Sequence, residues 1–145
     1  MKKTVITYWS GSGNTETMAK SVAKGVSENG GEAVLKSVDS ASVDLVREAD
    51  ALAFGCPAMG DEVLEEGEME PFIASLHSAD LQGKKLGLFG SYDWGDGQWM
   101  RNWVERMKGL GAVVDGNGII AQLDPNQEAL ALCYELGKRL AESTG

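Results

Sequence analysis

Val5-Ile6-Thr7-Tyr8-Trp9-Ser10-Gly11-Ser12-Gly13-Asn14-Thr15 is the stretch that decides how this chain folds. Its first four residues are a short apolar, partly β-branched run, which predicts a strand. Ser10-Gly11-Ser12-Gly13-Asn14-Thr15 then packs three hydroxyls, two glycines and an amide into six residues, with no basic side chain. Behind it Met18, Ala19, Val22 and Val26 recur at helical spacing. Strand, loop and helix in that order predict an anion cradle. Glycine lets backbone N–H groups curl inward, and the following helix adds its positive N-terminal end.

What the loop lacks narrows the anion. A nucleoside-triphosphate loop places Lys-Ser or Lys-Thr after its second glycine, whereas Asn14-Thr15-Glu16 follow Gly13 here. A dinucleotide loop has a third glycine where Glu16 stands. Hydroxyls and amides alone suit the three oxygens of a terminal phosphate monoester. The plainer alternative is a polar turn with a serine cap and no ligand. The crowding of Ser, Gly and Thr argues against it.

Outward from this loop, the composition sets bounds. The chain has 145 residues, 43% of them hydrophobic, enough for one domain with a real core. Twenty-two acidic against 13 basic residues give a net charge of −9. That charge repels nucleic acid and anionic membranes and favours basic protein partners. Met1-Lys2-Lys3 resembles the start of a signal peptide, but the apolar stretch stops at Trp9-Ser10-Gly11. No run approaches the roughly 20 apolar residues that a membrane span needs. Cys56 and Cys133 have neither CxxC nor metal-ligand spacing, which predicts two reduced core thiols, no metal and a cytoplasmic protein.

Apolar runs alternate with helical patterns along the whole chain, the signature of a parallel sheet covered by helices. The first helix ends at Gly30-Gly31. Strands follow at Ala33-Leu35 with Val38, at Ala51-Cys56, and at Lys84-Gly90. A short helix covers Val43 to Arg47, and Phe72, Ile73 and Leu76 mark another. Met100, Trp103, Val104 and Met107 mark the fourth helix, with Trp99 and Trp103 as packing residues. A fifth strand at Val113-Val114 and Ile119-Ile120 is broken by Gly116-Asn117-Gly118. Asp124-Pro125-Asn126-Gln127 opens the last helix, with Asp124 expected as N-cap and Gln127 completing a capping box. Ala129, Cys133, Leu136 and Leu140 form its buried stripe. No linker, repeat or low-complexity segment interrupts residues 1–145, which read as one domain.

Ligands of such sheets lie beyond the carboxyl ends of the strands, where chain order reverses. Two further loops leave those ends with unusual composition: Pro57-Ala58-Met59-Gly60-Asp61-Glu62, and Ser91-Tyr92-Asp93-Trp94-Gly95-Asp96-Gly97. Trp94, flanked by Asp93 and Gly95 in a glycine-rich turn, offers a flat platform for a planar ligand, worth about 0.5–1.5 kcal/mol beyond area burial. Met59 is polarizable and suits an aromatic face. Gly60 permits positive φ, so the Gly60-Asp61 peptide can take more than one orientation, and Glu62 can accept from a ring N–H. An ordinary acidic turn and a tryptophan folded over the domain edge are the plainer readings. Trp9 adjoins the loop, and its role stays open between ligand and core. His77, the sole histidine, lies away from all three loops and receives no role. From Glu48 to Gly83 there is no Lys or Arg, while Asp61, Glu62, Glu65, Glu66, Glu68 and Glu70 lie within that span. This acidic span is either a solvated face or a negative field that disfavours electrons added to the ligand.

Together, Ser10 to Thr15, Ala58-Met59-Gly60-Asp61-Glu62 and Gly90-Ser91-Tyr92-Asp93-Trp94-Gly95 resemble a flavodoxin of the short-chain, clostridial type over essentially the whole length. The resemblance implies a doubly wound five-stranded parallel sheet with helices on both faces, in the order 2-1-3-4-5 known for that family. It implies noncovalent FMN in a low-potential, monomeric one-electron carrier, not an enzyme, cycling mainly between semiquinone and hydroquinone. By similarity Ser10, Ser12, Asn14 and Thr15, with backbone from Gly11 and Gly13, hold the phosphate. Trp94 stacks on the outer ring face and Met59 on the inner. Glu62 meets N3–H, the Gly60-Asp61 carbonyl turns to N5–H, and Ser91 lies near the ribityl chain or phosphate. Pro57 stands where some relatives have Ser, and Asp93 where the clostridial pattern often has Gly. One carboxylate about 10 Å from the ring, at an effective dielectric of about 20, opposes an added electron by roughly 1.7 kcal/mol, or about 70 mV, before screening. A flavin-dependent reductase or ribonucleotide-reductase-activating flavoprotein of the same fold is the alternative. A signalling receiver domain, the other alternative, needs an acidic pair after strand one and a phosphoacceptor Asp after strand three, where this chain has Trp9-Ser10 and Cys56-Pro57.

Overall fold

In the computed structural model, residues 2–11, 13–60 and 62–142 are described. The sheet is built on β1 (Lys3–Tyr8), whose residues alternate between two cores. Val5 points into one with Leu52, Phe54, Leu86 and Leu88, and Ile6 into the other with Ala51, Ala53 and Phe89. A strand buried on both faces reads as a continuous apolar run, which is why the sequence showed no polar alternation there.

Beside β1 lie β2 (Glu32–Ser37) on one edge and β3 (Ala51–Gly55) on the other. β4 (Lys85–Tyr92) follows, and all these pairings are parallel. β5 (Val113–Val114) pairs with the start of β4, and β6 (Ile119–Gln122) with its end. The order is therefore β2-β1-β3-β4-β5, as expected, with the broken fifth strand appearing as two short strands on one edge. Its interruption includes Gly116 and Gly118, both at positive φ.

α1 (Asn14–Ser27) and α6 (Gln127–Glu142) cover the Ile6 face. They cross at glycines. A Cβ on Gly25 would overlap the Tyr134 carbonyl, and one on Gly137 would overlap the Val22 carbonyl. The Val5 face is covered by α2 (Val43–Glu48), α3 (Met69–Ala74), α4 (Ser78–Leu81) and α5 (Gln98–Gly109). Trp99 and Trp103 of α5 are fully buried there, as packing residues.

Two expectations need correction, and one element was unforeseen. β4 runs on to Tyr92, because the backbone of Ser91 and Tyr92 pairs with Ala121 and Gln122, so these residues belong to a strand end and not to a loop. α6 is capped by Asn126, whose Oδ1 accepts from the Ala129 amide at 2.8 Å, and Asp124 lies before the helix. The one-turn α4 was not foreseen; it is closed by Asp80, whose Oδ2 accepts from the His77 amide at 2.9 Å. Cys56 and Cys133 are both free and buried, and burial pushes each thiol up to about 12. Among the described residues no helix is long and apolar enough to cross a membrane.

Candidate functional site

Parallel β1, β3 and β4 end at the same edge, so the three singled-out segments meet there. They enclose a cavity of about 310 Å³. Of the expected residues, Gly11, Asn14, Pro57, Ala58, Met59, Ser91, Tyr92 and Asp93 line it. Trp9 and Leu123 line it as well, and neither was assigned from the sequence. Ser12 and Asp61 fall outside the described residues.

The first segment is shaped by its glycines. Gly13 is the N-cap of α1 at φ 97°, and the space where its side chain would stand is open. The Ser10 hydroxyl oxygen accepts from the Gly13 amide at 3.0 Å, leaving its own proton to donate elsewhere. A Cβ on Gly11 would come within 3.1 Å of the Trp9 ring, so this backbone lies close on the indole. Trp9 is fixed in turn by its indole N–H, which donates to Glu68 at 3.2 Å. Thr15 is buried, its hydroxyl 3.1 Å from the Ser91 hydroxyl, joining the first segment to the end of β4.

The second segment is a tight reversal. Met59 and Val63 exchange two backbone hydrogen bonds of 2.9 Å around the three residues between them. Gly60 and Glu62 both have positive φ, 48° and 57°. Glu62 Oε1 accepts from the amides of Gly97 and Gln98 at 3.1 and 3.2 Å, so the second segment caps α5 and grips the third. The fit is close: a Cβ on Gly95 would overlap that carboxylate.

In the third segment Trp94 is 59% exposed, a free aromatic face at the rim. β6 supports it. The Leu123 amide donates to the Tyr92 carbonyl at 2.8 Å, and the Gln122 side-chain amide donates to the Asp93 carbonyl at 3.2 Å. Sequence reasoning missed this wall because it comes from a distant strand. Positive φ at a leucine leaves no trace in hydropathy.

The acidic span divides into engaged and free groups. Partial burial pushes the Glu65 carboxyl up, but the amides of Met69, Glu68 and Gly67 outweigh it and hold it below the usual range. The guanidinium of Arg106 holds Glu70 low through two bonds of 2.8 and 2.7 Å. Asp96 pairs with Arg101 at 3.0 Å. The negative field expected from all these acids is therefore partly neutralised by α5.

Helix α1's N-terminus, donors without cations, and a cavity lined by the Met59 thioether and the Trp9 indole suit a phosphorylated planar ring. Comparison with known proteins bears on the same point. The family model described as Flavodoxin matches residues 6–137. The chain belongs to the flavodoxin family. It is 51% identical to a flavodoxin of Clostridium beijerinckii, covering 94% of this chain and 97% of that one. It is 42% identical to the flavodoxin of Megasphaera elsdenii, over 95% and 98%. A solution structure of two-electron reduced M. elsdenii flavodoxin superposes with a TM-score of 0.84 at 40% identity, covering 97% and 99%. An archaeal flavodoxin does so at 0.87 and 28%, covering 97% and 96%. Flavodoxins bind FMN and carry electrons between redox proteins, and this chain is such a carrier and not an enzyme.

Proposed function

We propose that residues 1–145 form one FMN-binding domain that delivers single electrons at low potential, mainly through the lower of the two one-electron couples. The observation that carries this reading is the meeting of three cation-free segments around the cavity at the carboxyl edge of the sheet. Bound FMN supplies the redox chemistry, taking up and releasing electrons one at a time.

The chain's residues receive these roles. Ser10, Ser12, Asn14 and Thr15, with the Gly11 and Gly13 amides, hold the phosphate at the positive end of α1, so no lysine is needed. Ser91, bonded to Thr15, orients the hydroxyl chain between phosphate and ring. Pro57 and Ala58 form the floor, Met59 covers one face of the ring and Trp94 the other. Tyr92, Asp93 and Gly95 shape the backbone under Trp94. Glu62 holds N3–H, and the Gly60-Asp61 carbonyl takes the hydrogen bond of N5–H, a bond available in only some oxidation states of the ring. A contact made in one oxidation state alone separates the two one-electron potentials, by about 59 mV for each factor of ten in affinity. Excess carboxylates at this edge, Asp93 foremost, oppose the second electron. We further infer a monomer in the cytoplasm that docks this acidic edge on basic surfaces of its donor and acceptor.

Stepwise reduction of the FMN-loaded protein, followed by its visible spectrum, should resolve two one-electron steps. Entry of both electrons together at the potential of free FMN refutes the reading. FMN should also bind far more tightly than riboflavin, which lacks the phosphate. Equal affinity removes the first segment from the site.

A further inference from the structure

We propose that Leu123 is a positioning residue for the flavin, an aliphatic cover held at the cavity mouth in a strained backbone conformation; this rests on the FMN reading above. Among the described residues only Glu62 and Leu123 combine positive φ with a side chain, each at 57°. Both adjoin the site. The conformation of Glu62 has a local return, since its carboxylate takes the amides of Gly97 and Gln98. Leu123 has none of that kind. Its side chain is apolar and 53% exposed. Leucines ordinarily occupy relaxed backbone and lie buried, and this one does neither.

The strain is imposed by neighbours. The bond from the Leu123 amide to Tyr92 extends the pairing of β6 with β4 by one residue, and Gln122 grips Asp93. Leu123 is thereby fixed in the wall that also contains Met59, Tyr92 and Asp93. Strain kept in place by surrounding structure gathers where a conformation serves a ligand. An exposed aliphatic group at the mouth of a cavity for a flat, largely apolar ring gains its partner when the ring arrives. It removes water from both surfaces and limits how far the ring can slide. Leu123 thus does for the ring's margin what Met59 and Trp94 do for its faces.

Two variants separate this role from a structural one. Leu123→Ala keeps the backbone strain and removes the cover. Leu123→Asn relieves the strain, because asparagine tolerates positive φ, and also removes the apolar cover. FMN fluorescence quenching should show roughly tenfold weaker binding in both. The flavin-free Tm should stay level for Leu123→Ala and rise by about 3 °C for Leu123→Asn. Wild-type FMN affinity in both variants overturns the proposal while leaving the FMN reading intact. So does a flavin-free Tm that falls in step with affinity, which marks an ordinary packing residue. If wild-type protein fails to bind FMN, the parent reading falls first.

Discussion

Single residues at the sheet edge set the electronic surroundings of the flavin. Among the described residues no ion pair involves Asp93, whereas Asp96 is paired with Arg101 at 3.0 Å. Asp93→Asn should therefore raise the lower one-electron potential, by up to about 70 mV for a carboxylate about 10 Å from the ring. Asp96→Asn should raise it as well, because removing that carboxylate leaves the Arg101 guanidinium uncompensated beside the loop. Spectroelectrochemical titration of both variants decides this, and an unchanged or lower potential in both would show that these carboxylates do not oppose the added electron. Gly60 sits at φ 48° with open space where a side chain would stand. Gly60→Ala should bind FMN yet bring the two one-electron potentials closer, since alanine resists the reorientation assigned to the Gly60-Asp61 peptide. An unchanged separation removes that role. The types and spacing of these residues were readable in the sequence. The pairing of Asp96 with Arg101 was not, because it depends on how the loop before α5 lays its carboxylate against the first turn of the helix.

Elements are held in register by caps and close helix crossings. Asn126→Ala should destabilise the protein by about 1 kcal/mol through loss of the α6 cap, and Asp124→Ala by much less. Urea unfolding midpoints measure both, and the reverse ranking would restore Asp124 as the cap. The sequence placed this helix start within three residues and chose the wrong cap, because Asp and Asn serve equally well until backbone geometry selects one. Gly137 gives a sharper case. Helix propensity alone predicts that Gly137→Ala stabilises α6 by about 1 kcal/mol. The added Cβ would overlap the Val22 carbonyl of α1, so a net loss of about 2 kcal/mol is expected, seen as a lower urea midpoint with an unchanged slope. A higher midpoint would mean that the two helices separate at little cost. No local pattern marked Gly25 or Gly137, since the constraint lies in the other helix.

Across the whole molecule, acidity separates the two kinds of carboxylate. Asp80 is buried and held below its usual 3.8, first by its hydrogen bond to Arg47 and then by the His77 amide. Glu65 and Glu70 are likewise held below 4.5. A carboxyl held low in the folded state binds its proton more weakly than in the unfolded chain. Its contribution is complete above its ordinary value and disappears as pH falls through the lower folded value. Asp80→Asn should therefore be less stable than wild type at pH 7, with the deficit shrinking as pH falls below the ordinary value of 3.8. Denaturant titrations at pH 7, 4 and 3 measure it, and a deficit that grows toward acid contradicts the assignment. Comparing the variant with wild type at each pH cancels the easing of net repulsion as this −9 chain is protonated.

The division between sequence and structure follows from the range of the forces involved. Apolar periodicity, glycine-rich loops and helix signals are local, so the parallel sheet, the glycine-rich turn before α1 and the three segments proposed for the site were legible in the chain as written. Tertiary structure alone decided that Trp9 and Leu123 complete the cavity, that Glu62 ties two loops together, and that Arg106 of α5 neutralises Glu70. Each of those joins residues far apart in the chain or fixes a backbone angle through a neighbouring strand. Such energies exist only after the sheet has brought its carboxyl ends together.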